Sequence, residues 1–214
     1  MLSCISPILR VLCDTCILYS NIFCALCVLR GLNCICIAVV RRQWSVVIFS
    51  YLSPMREKQI TLTVQVYDSA DEMRSDEKGL IEEAKKALTK AYVPYSNFKV
   101  GSAALLDNGE TLSAANQENA SYPVCVCSEV VLLSACSSVY PGVSIRKIAI
   151  TTLSGTQASN SPKAPCGQCR QTLLEFEKRS GNDIEIILAG DTGPVYKLAS
   201  VKDLLPLHFS ATDL

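Results

Sequence analysis

The chain is short of three things: histidine, net charge and apolar runs long enough to cross a bilayer. His208 is the only histidine among the 214 residues, so imidazole supplies at most one group to any site. Lysine and arginine together number 20, as do aspartate and glutamate, so the chain offers no electrostatic footprint for a polyanion such as nucleic acid. The uncharged apolar run from Thr15 to Leu29 is about fifteen residues, whereas a membrane-spanning helix needs roughly twenty.

Residues 1–54 differ from the remainder in charge and in cysteine content. They carry four arginines against one aspartate, a net charge of +3, so the remaining residues carry −3, an ordinary balance. Seven of the twelve cysteines lie before residue 37. The other five are Cys125, Cys127, Cys136, Cys166 and Cys169. The zinc-like spacing of this second group favours a reduced cytosol over a disulfide-forming compartment.

The N-terminal segment admits several interpretations. Its motifs Cys13-x-x-Cys16 and Cys24-x-x-Cys27 resemble a four-cysteine zinc site, but the gap between them is short for a zinc ribbon. A signal peptide would need a basic start, one apolar stretch and a small-residue cleavage site, and none of these is clear. The stretch Met55-Arg56-Glu57-Lys58-Gln59 is typical of the beginning of a cytosolic domain. We expect residues 1–54 to be an apolar, cysteine-rich extension outside the natural protein, with a membrane anchor or a loosely packed tail as alternatives.

Residues 55–214 show the alternation of strands and helices expected of one catalytic domain. Strands are predicted at residues 60–66, 98–106, 111–115, 145–152, 184–189 and 195–199. Helices are predicted at residues 75–91, 126–138 and from about 166 through 176, with a last helical turn over 200–205. Asn108-Gly109 predicts a tight hairpin turn. This order implies a sheet covered by helices, an α/β layered domain.

Two short cysteine motifs carry the chemistry, Cys127-Ser128-Glu129 and Pro165-Cys166-Gly167-Gln168-Cys169. Three thiolates can hold Zn²⁺ and leave its fourth position for water, and Glu129 could then move protons to and from that water. Both motifs fall at predicted helix starts, where unpaired N–H groups and the helix dipole favour thiolate over thiol. An isolated C-x-x-C would be weak evidence, but its combination with C-x-E is a strong signal.

A closed structural zinc site is the alternative, and it would need a fourth protein ligand. His208 lies near the C-terminus with no partner, and Cys136 reads as a small core residue. Cys125, two residues before Cys127, is the one further candidate. The motifs therefore favour an open site.

The chain from about Ala91 resembles cytidine deaminase, the zinc enzyme of pyrimidine salvage, in its tetrameric three-cysteine form. The matching stretches are Tyr95-Ser96-x-Phe98-x-Val100-Gly101, Asn116-Gln117-Glu118-Asn119-Ala120-Ser121-Tyr122, Cys127-Ser128-Glu129, Pro165-Cys166-Gly167-Gln168-Cys169-Arg170-Gln171 and Leu204-Leu205-Pro206. They cover nearly all of residues 75–210 in order, which argues against a chance match. The resemblance implies a three-layer α/β/α fold with a mixed central sheet of about five strands.

The same resemblance implies roles for the reacting groups. Cys127, Cys166 and Cys169 would hold Zn²⁺ as the cofactor. Glu129 would take a proton from water activated at the metal and deliver protons to N3 of the pyrimidine and to the leaving amine.

It also implies a substrate-binding set. Asn116 and Glu118, with Gln117 between them, resemble the ribose-binding residues of the family, although a polar strand end would show the same pattern. Phe98 would pack against the nucleoside or fill the core. Phe209 resembles the C-terminal aromatic residue that such enzymes lend to a neighbouring subunit.

Two positions beside Glu129 depart from the family pattern. Val130 stands where the family usually has arginine. Zn²⁺ with three thiolates carries a formal charge of −1, which arginine would partly offset and valine cannot. Helix dipoles and Arg170 must then compensate, and we expect a working but slower enzyme. Ser128 replaces the usual alanine, a small change that should be tolerated.

These features predict a cytosolic, zinc-dependent cytidine and deoxycytidine deaminase that acts on a free small-molecule nucleoside and forms a homotetramer. No nucleic-acid partner is expected of residues 55–214, which carry a net −3. No membrane contact is expected unless residues 1–54 insert. The alternatives are a deaminase of another aminopyrimidine nucleoside and a catalytically weak relative that keeps zinc for structure.

Overall fold

The described structure has two compact units. The computed structural model describes residues 57–155 and 160–214 in full and, before them, the backbones of three strands. The units are Met1–Gln59 and Ile60–Leu214.

The first unit contains an antiparallel sheet of three strands in chain order. They are β1 (Ile22–Arg30), β2 (Asn33–Val40) and β3 (Gln43–Ser50). The two C-x-x-C motifs of this segment, and the alternatives of a membrane anchor or a loosely packed tail, concern side chains and positions outside the described part of the chain. In the described residues no helix is both long and apolar enough to cross a membrane.

The second unit is built on a six-stranded mixed sheet. Its strands are β4 (Gln65–Tyr67), β5 (Phe98–Leu106), β6 (Thr111–Ala115), β7 (Ile145–Ser154), β8 (Glu185–Ala189) and β9 (Val195–Leu198). The order across the sheet is β4-β9-β8-β7-β5-β6, and only the pair β7–β8 is parallel. The predicted mixed sheet is confirmed, with six strands rather than about five.

The first predicted strand of this unit was placed too early. Residues 60–64 form no strand, and β4 begins only at Gln65, where the chain comes opposite β9. The alternating pattern of residues 60–66 is therefore not by itself a strand signal here. Pairing with the four residues of β9 sets the length of β4 instead.

Three helices cover the sheet, α1 (Ser75–Ala87), α2 (Ser128–Val139) and α3 (Gly167–Ser180). The first was predicted to run to about residue 91, but the α-helix ends at Ala87 and a 3₁₀ turn, Leu88–Lys90, follows it. Arg74 is its N-cap residue. The other helices begin within two residues of the predicted positions.

The three-layer arrangement follows from the alternation of strand side chains between the two faces of the sheet. On one face Leu80, Ile81 and Ala84 of α1 pack with strand residues that include Ala103 and Ala149. The opposite face carries the larger cluster, which combines α2, α3 and strand residues such as Leu132, Leu173, Ala104, Ile148 and Ile150. Because Ala103 and Ala104 lie in different clusters, β5 is buried on both faces. The predicted three-layer α/β/α fold is confirmed.

Two glycines are required by this architecture. At Gly101 an added Cβ would lie 2.1 Å from the carbonyl oxygen of Ala84, so glycine allows α1 to contact β5 directly. Gly109 has a φ of 86° in the turn between β5 and β6, as the Asn108-Gly109 pair predicts.

Candidate metal and substrate site

The sheet topology brings the two cysteine motifs to one edge. Strands β6 and β7 run in the same direction, because each is antiparallel to β5. Helix α2 follows β6 and helix α3 follows β7, so both helices begin beyond the carboxyl ends of parallel-running strands. Cys127 and Cys166 are the N-cap residues of these helices. The placement of the two motifs next to each other therefore follows from strand direction.

The three thiols form one compact cluster. The Sγ atoms of Cys127 and Cys166 lie 3.9 Å apart, and those of Cys166 and Cys169 lie 3.4 Å apart. All three sulfur atoms lie within 4.8 Å of one another. The backbone N–H of Cys169 donates to the Sγ atom of Cys166 at 3.5 Å, so the first turn of α3 also orients that sulfur.

The thiols of Cys127 and Cys169 have pKa values shifted in opposite directions. Hydrogen bonding by the Cys169 thiol lowers the pKa of Cys127 to about 7, against the opposing effects of burial and of Glu129. The same contact with Cys127, together with burial, raises the pKa of Cys169. The cluster thus already favours one thiolate near neutral pH, the form that binds a metal.

The donor set fits zinc with an open coordination position. Three thiolates at this spacing match the soft, tetrahedral preference of Zn²⁺. Cys125 is outside the cluster, and its Sγ atom accepts the N–H of Asn119 at 3.2 Å. His208 contacts the carbonyl of Leu205 through Nδ1 at 2.9 Å and does not join the cluster. Among the described residues, no fourth ligand closes the site.

Glu129 lies in the first turn of α2, two residues after Cys127. Its side chain is buried, with only 4% of the residue exposed. Burial raises the pKa of its carboxyl group, and a hydrogen bond from Cys169 opposes part of that rise. A carboxyl group whose pKa is raised in this way is suited to accept and return a proton near neutral pH.

A cavity of about 580 Å³ opens beside the thiols. Its walls contain all eight predicted site residues, Phe98, Asn116, Gln117, Glu118, Cys127, Glu129, Cys166 and Cys169. The volume lies within the range of small-molecule sites. The structure therefore brings every predicted site residue to one concave surface.

Glu118 is held by the loop that precedes β5. Its Oε2 atom accepts the backbone N–H groups of Tyr95 at 3.0 Å and Ser96 at 3.3 Å, and its Oε1 atom accepts the hydroxyl of Ser96. These bonds, led by the Ser96 hydroxyl, lower the pKa of Glu118. The carboxylate is thus ionised and fixed in the cavity wall.

Asn116 and Gln117 have structural contacts in addition to their place in the cavity wall. The side-chain amide of Asn116 bridges two backbone groups of β5, since Val100 N–H donates to Oδ1 at 2.9 Å and Nδ2 donates to the Phe98 carbonyl at 3.0 Å. Each end of that amide keeps capacity for one more hydrogen bond. The Gln117 side chain donates to the carbonyl of Lys90 at 3.1 Å.

Ser96 and Lys163 are among the cavity residues to which sequence reasoning gave no role. Ser96 lies in one of the stretches that resemble the family. Its contact with Glu118 could not be predicted, because the two residues are 22 positions apart in the sequence. Lys163 carries the one positive charge among the described residues that line the cavity. It precedes the Pro165 motif by two residues, in a loop whose conformation the composition does not predict.

The described hydrogen bonds of the Arg170 guanidinium group do not go to the thiols. Its Nε atom donates to the carbonyl of Pro165 at 2.8 Å, and an Nη1 donor reaches the carbonyl of Leu204 at 3.0 Å. These bonds tie the residue before Cys166 to the C-terminal region. Arg170 therefore supports the loop that carries a metal ligand.

A layered α/β fold with an open three-thiol site and a buried glutamate defines a zinc-dependent hydrolase. The chain belongs to the family described as cytidine and deoxycytidylate deaminase zinc-binding region, whose model matches residues 74–180. A cytidine deaminase of Halalkalibacterium halodurans is 37% identical over 140 residues, which are 65% of this chain and 98% of that protein. One from Mycobacterium tuberculosis is 38% identical over 131 residues, 61% of this chain and 87% of that protein.

Solved structures agree with these sequence relatives. The crystal structure of cytidine deaminase from Burkholderia pseudomallei superposes with a TM-score of 0.55 at 38% identity, covering 64% of this chain and all of that one. The cytidine deaminase structure from Mycobacterium tuberculosis gives a TM-score of 0.51 at 34% identity, covering 64% of this chain and 99% of that one.

Proposed function

We propose that this protein catalyses the hydrolytic deamination of cytidine and deoxycytidine. The reaction consumes one water and releases uridine or deoxyuridine and ammonia. The observation that carries the proposal is the shared cavity of about 580 Å³, which joins a zinc-type thiol cluster and a buried Glu129 to a fixed carboxylate, Glu118. Family membership and the cytidine deaminase relatives point to the same chemistry.

Cys127, Cys166 and Cys169 are the residues that would hold the zinc ion. When bound at an open three-ligand site, zinc lowers the pKa of water and so supplies a nucleophile at neutral pH. Its charge also fixes the three sulfur atoms as thiolates.

Glu129 is the proton carrier in this proposal. Its buried carboxylate accepts the proton that water loses as it adds to C4 of the pyrimidine. Its raised pKa, caused by burial, lets the protonated carboxyl group return that proton to N3. The carboxylate then takes the remaining proton from the hydroxyl on C4 and gives it to the departing amine, so that ammonia leaves as the C4 carbonyl forms. Burial among the thiols also keeps bulk water from competing for the proton.

Glu118 and Asn116, which line the same cavity, would bind the sugar. An ionised carboxylate accepts hydrogen bonds from ribose hydroxyls, and charge-assisted bonds of this kind are the stronger ones. Asn116 would use the one donor and one acceptor site that its contacts with β5 leave available. Phe98 would pack against the nucleoside where it lines the cavity.

The proposed setting of the enzyme is pyrimidine salvage in the cytosol, as a homotetramer. Free thiols at the five described cysteines support a reducing compartment. Phe209 is 59% exposed, which supports its contribution to a neighbouring subunit. Sedimentation velocity would test the tetramer. We also assign the catalytic domain to residues 55–214 and propose that residues 1–54 are an extension outside the natural protein. Recovery of peptides from before Met55 in the natural protein would contradict the second part of this assignment.

The decisive experiment uses the full chain. Zinc per chain is measured, and the loss of cytidine absorbance is followed for the wild type, Glu129→Gln and the surface control Glu110→Gln. The proposal requires one zinc per chain, activity in the wild type and the control, and a loss of about 10³-fold in Glu129→Gln with zinc retained. Turnover that survives in Glu129→Gln contradicts it. A wild type that holds zinc without turnover supports the catalytically weak relative.

A further inference from the structure

Two buried hydroxyl groups lie directly beneath the start of α2. Ser128, between Cys127 and Glu129, and Ser102 of β5 are both fully buried. Their Oγ atoms lie 2.6 Å apart. Ser128 Oγ also donates to the carbonyl of Ala114 in β6 at 2.8 Å. A pair of polar groups in this apolar layer is stable only because each has a partner.

The direction of the hydrogen bonds follows from the proton count. Ser128 has one hydroxyl proton, which the Ala114 carbonyl accepts, because a carbonyl cannot donate. Ser102 must therefore donate its proton to Ser128. The result is a directed chain, Ser102 to Ser128 to the Ala114 carbonyl, in which Ser102 and Ala114 are register partners on adjacent strands.

This hydrogen-bonded series joins α2 to β6, and cavity residues lie in or next to both elements. On one side, Ser128 lies in the same helical turn as Glu129 and directly follows the metal ligand Cys127. On the other side, Ala114 precedes Asn116 by two residues in the chain. Apolar packing can hold a helix against a sheet, but it tolerates small slides along the helix axis. Directional hydrogen bonds to two strands restrict such slides.

We propose that Ser102 and Ser128 are positioning residues that fix the first turn of α2, and with it the Glu129 carboxyl group, against β5 and β6. This inference deepens the proposed function and rests on it for its kinetic part. Small displacements of a catalytic group have large effects on turnover. The hydroxyl pair would therefore act on kcat more than on KM, since it touches no part of the cavity occupied by substrate.

The test compares Ser128→Ala, Ser102→Ala, the double variant and a control, Ser138→Ala. Ser138 lies on the same helix, is exposed, and donates to the carbonyl of Ser134. We expect Ser128→Ala to lower kcat about tenfold with KM changed less than about threefold. Hydrogen exchange at the amides of Val130 and Val131, which both bond the Cys127 carbonyl, should accelerate about tenfold. Ser138→Ala should leave kcat and both exchange rates unchanged.

The double variant separates positioning from stability. Ser128→Ala leaves the Ser102 hydroxyl buried without its partner, which lowers the melting temperature, and removing that hydroxyl as well should recover part of the loss. A positioning role predicts that kcat stays low in the double variant. Recovery of kcat together with the melting temperature overturns the proposal, as does unchanged exchange in Ser128→Ala. A wild type without turnover defeats the proposed function, while the exchange measurement still decides the positioning of α2.

Discussion

Two groups of cavity residues are built in different ways: the thiol cluster with Glu129, here called the metal end, and Glu118 with its loop, here called the proposed sugar end. At the metal end, Cys127 and Cys166 cap two helices whose apolar faces belong to the main core, and Cys169 and Glu129 are buried. At the sugar end, Glu118 is held by a loop through hydrogen bonds to Tyr95 and Ser96, near the surface. One end is fixed by packing and backbone direction, and the other by a few polar contacts.

Because of this difference, we expect substitutions at the two ends to have different effects. Chemistry at the metal end depends on the relative position of several groups, so rigid helices suit it. The proposed sugar binding requires fewer contacts and must admit and release substrate, so a loop suffices. Substitutions at the metal end should therefore act on turnover and metal content, and those at the sugar end on affinity.

The largest expected effect is at the thiol cluster. Cys169→Ser should remove zinc and lower kcat by about 10³-fold or more, because a hydroxyl is a poor ligand for a site built on thiolates. Zinc per chain, measured by elemental analysis, checks the cause. Cys125→Ser is the matched control, since that thiol lines the same cavity but lies outside the cluster. Equal loss of zinc in both variants would contradict the assignment.

At the sugar end, Glu118→Gln should act mainly on affinity. Loss of the carboxylate charge weakens the bonds to ribose hydroxyls, and we expect KM for cytidine to rise by about 10- to 100-fold with a smaller change in kcat. Steady-state kinetics at fixed zinc content provide the measurement. An effect confined to kcat would place Glu118 at the reacting end instead.

Ser96→Ala tests the loop that holds Glu118. Loss of one hydrogen bond should raise KM about fivefold at neutral pH. The Ser96 hydroxyl is the leading cause of the lowered pKa of Glu118, so its removal should let that pKa rise. Because the ionised form binds the sugar, the increase of KM at acid pH should begin at a higher pH in the variant. Identical acid limbs in variant and wild type would show that Ser96 does not hold the carboxylate.

Val130→Arg should produce the smallest change. An arginine beside Glu129 would offset part of the negative charge of three thiolates. Arg170 does not do so through its described hydrogen bonds, which go to the carbonyls of Pro165 and Leu204. We expect a gain in kcat of about threefold, with zinc held at lower free concentration. No gain in either quantity would mean that Lys163 and the helix dipoles already balance the charge.

The sequence predicted the site better than it predicted the edges of the fold. Cys127, Cys166, Cys169 and Glu129 came from short motifs whose spacing reflects helix starts, and β5 and β6 came from alternation around an Asn-Gly turn. The early placement of β4 has a different cause, since its length depends on β9, about 130 residues away. The same holds for Ser96 with Glu118 and for Ser102 with Ser128, because contacts between distant residues leave no local pattern.

The position of two of the three cysteine ligands at helix N-caps has a consequence for how the protein acquires its metal. The main apolar cluster that holds α2 and α3 contains none of the three ligands. Unlike a zinc finger, which is unfolded without its ion, this chain can complete folding first and acquire zinc afterwards. A cell short of zinc would then accumulate a folded, dormant pool, and a later supply of the metal would activate it without new synthesis.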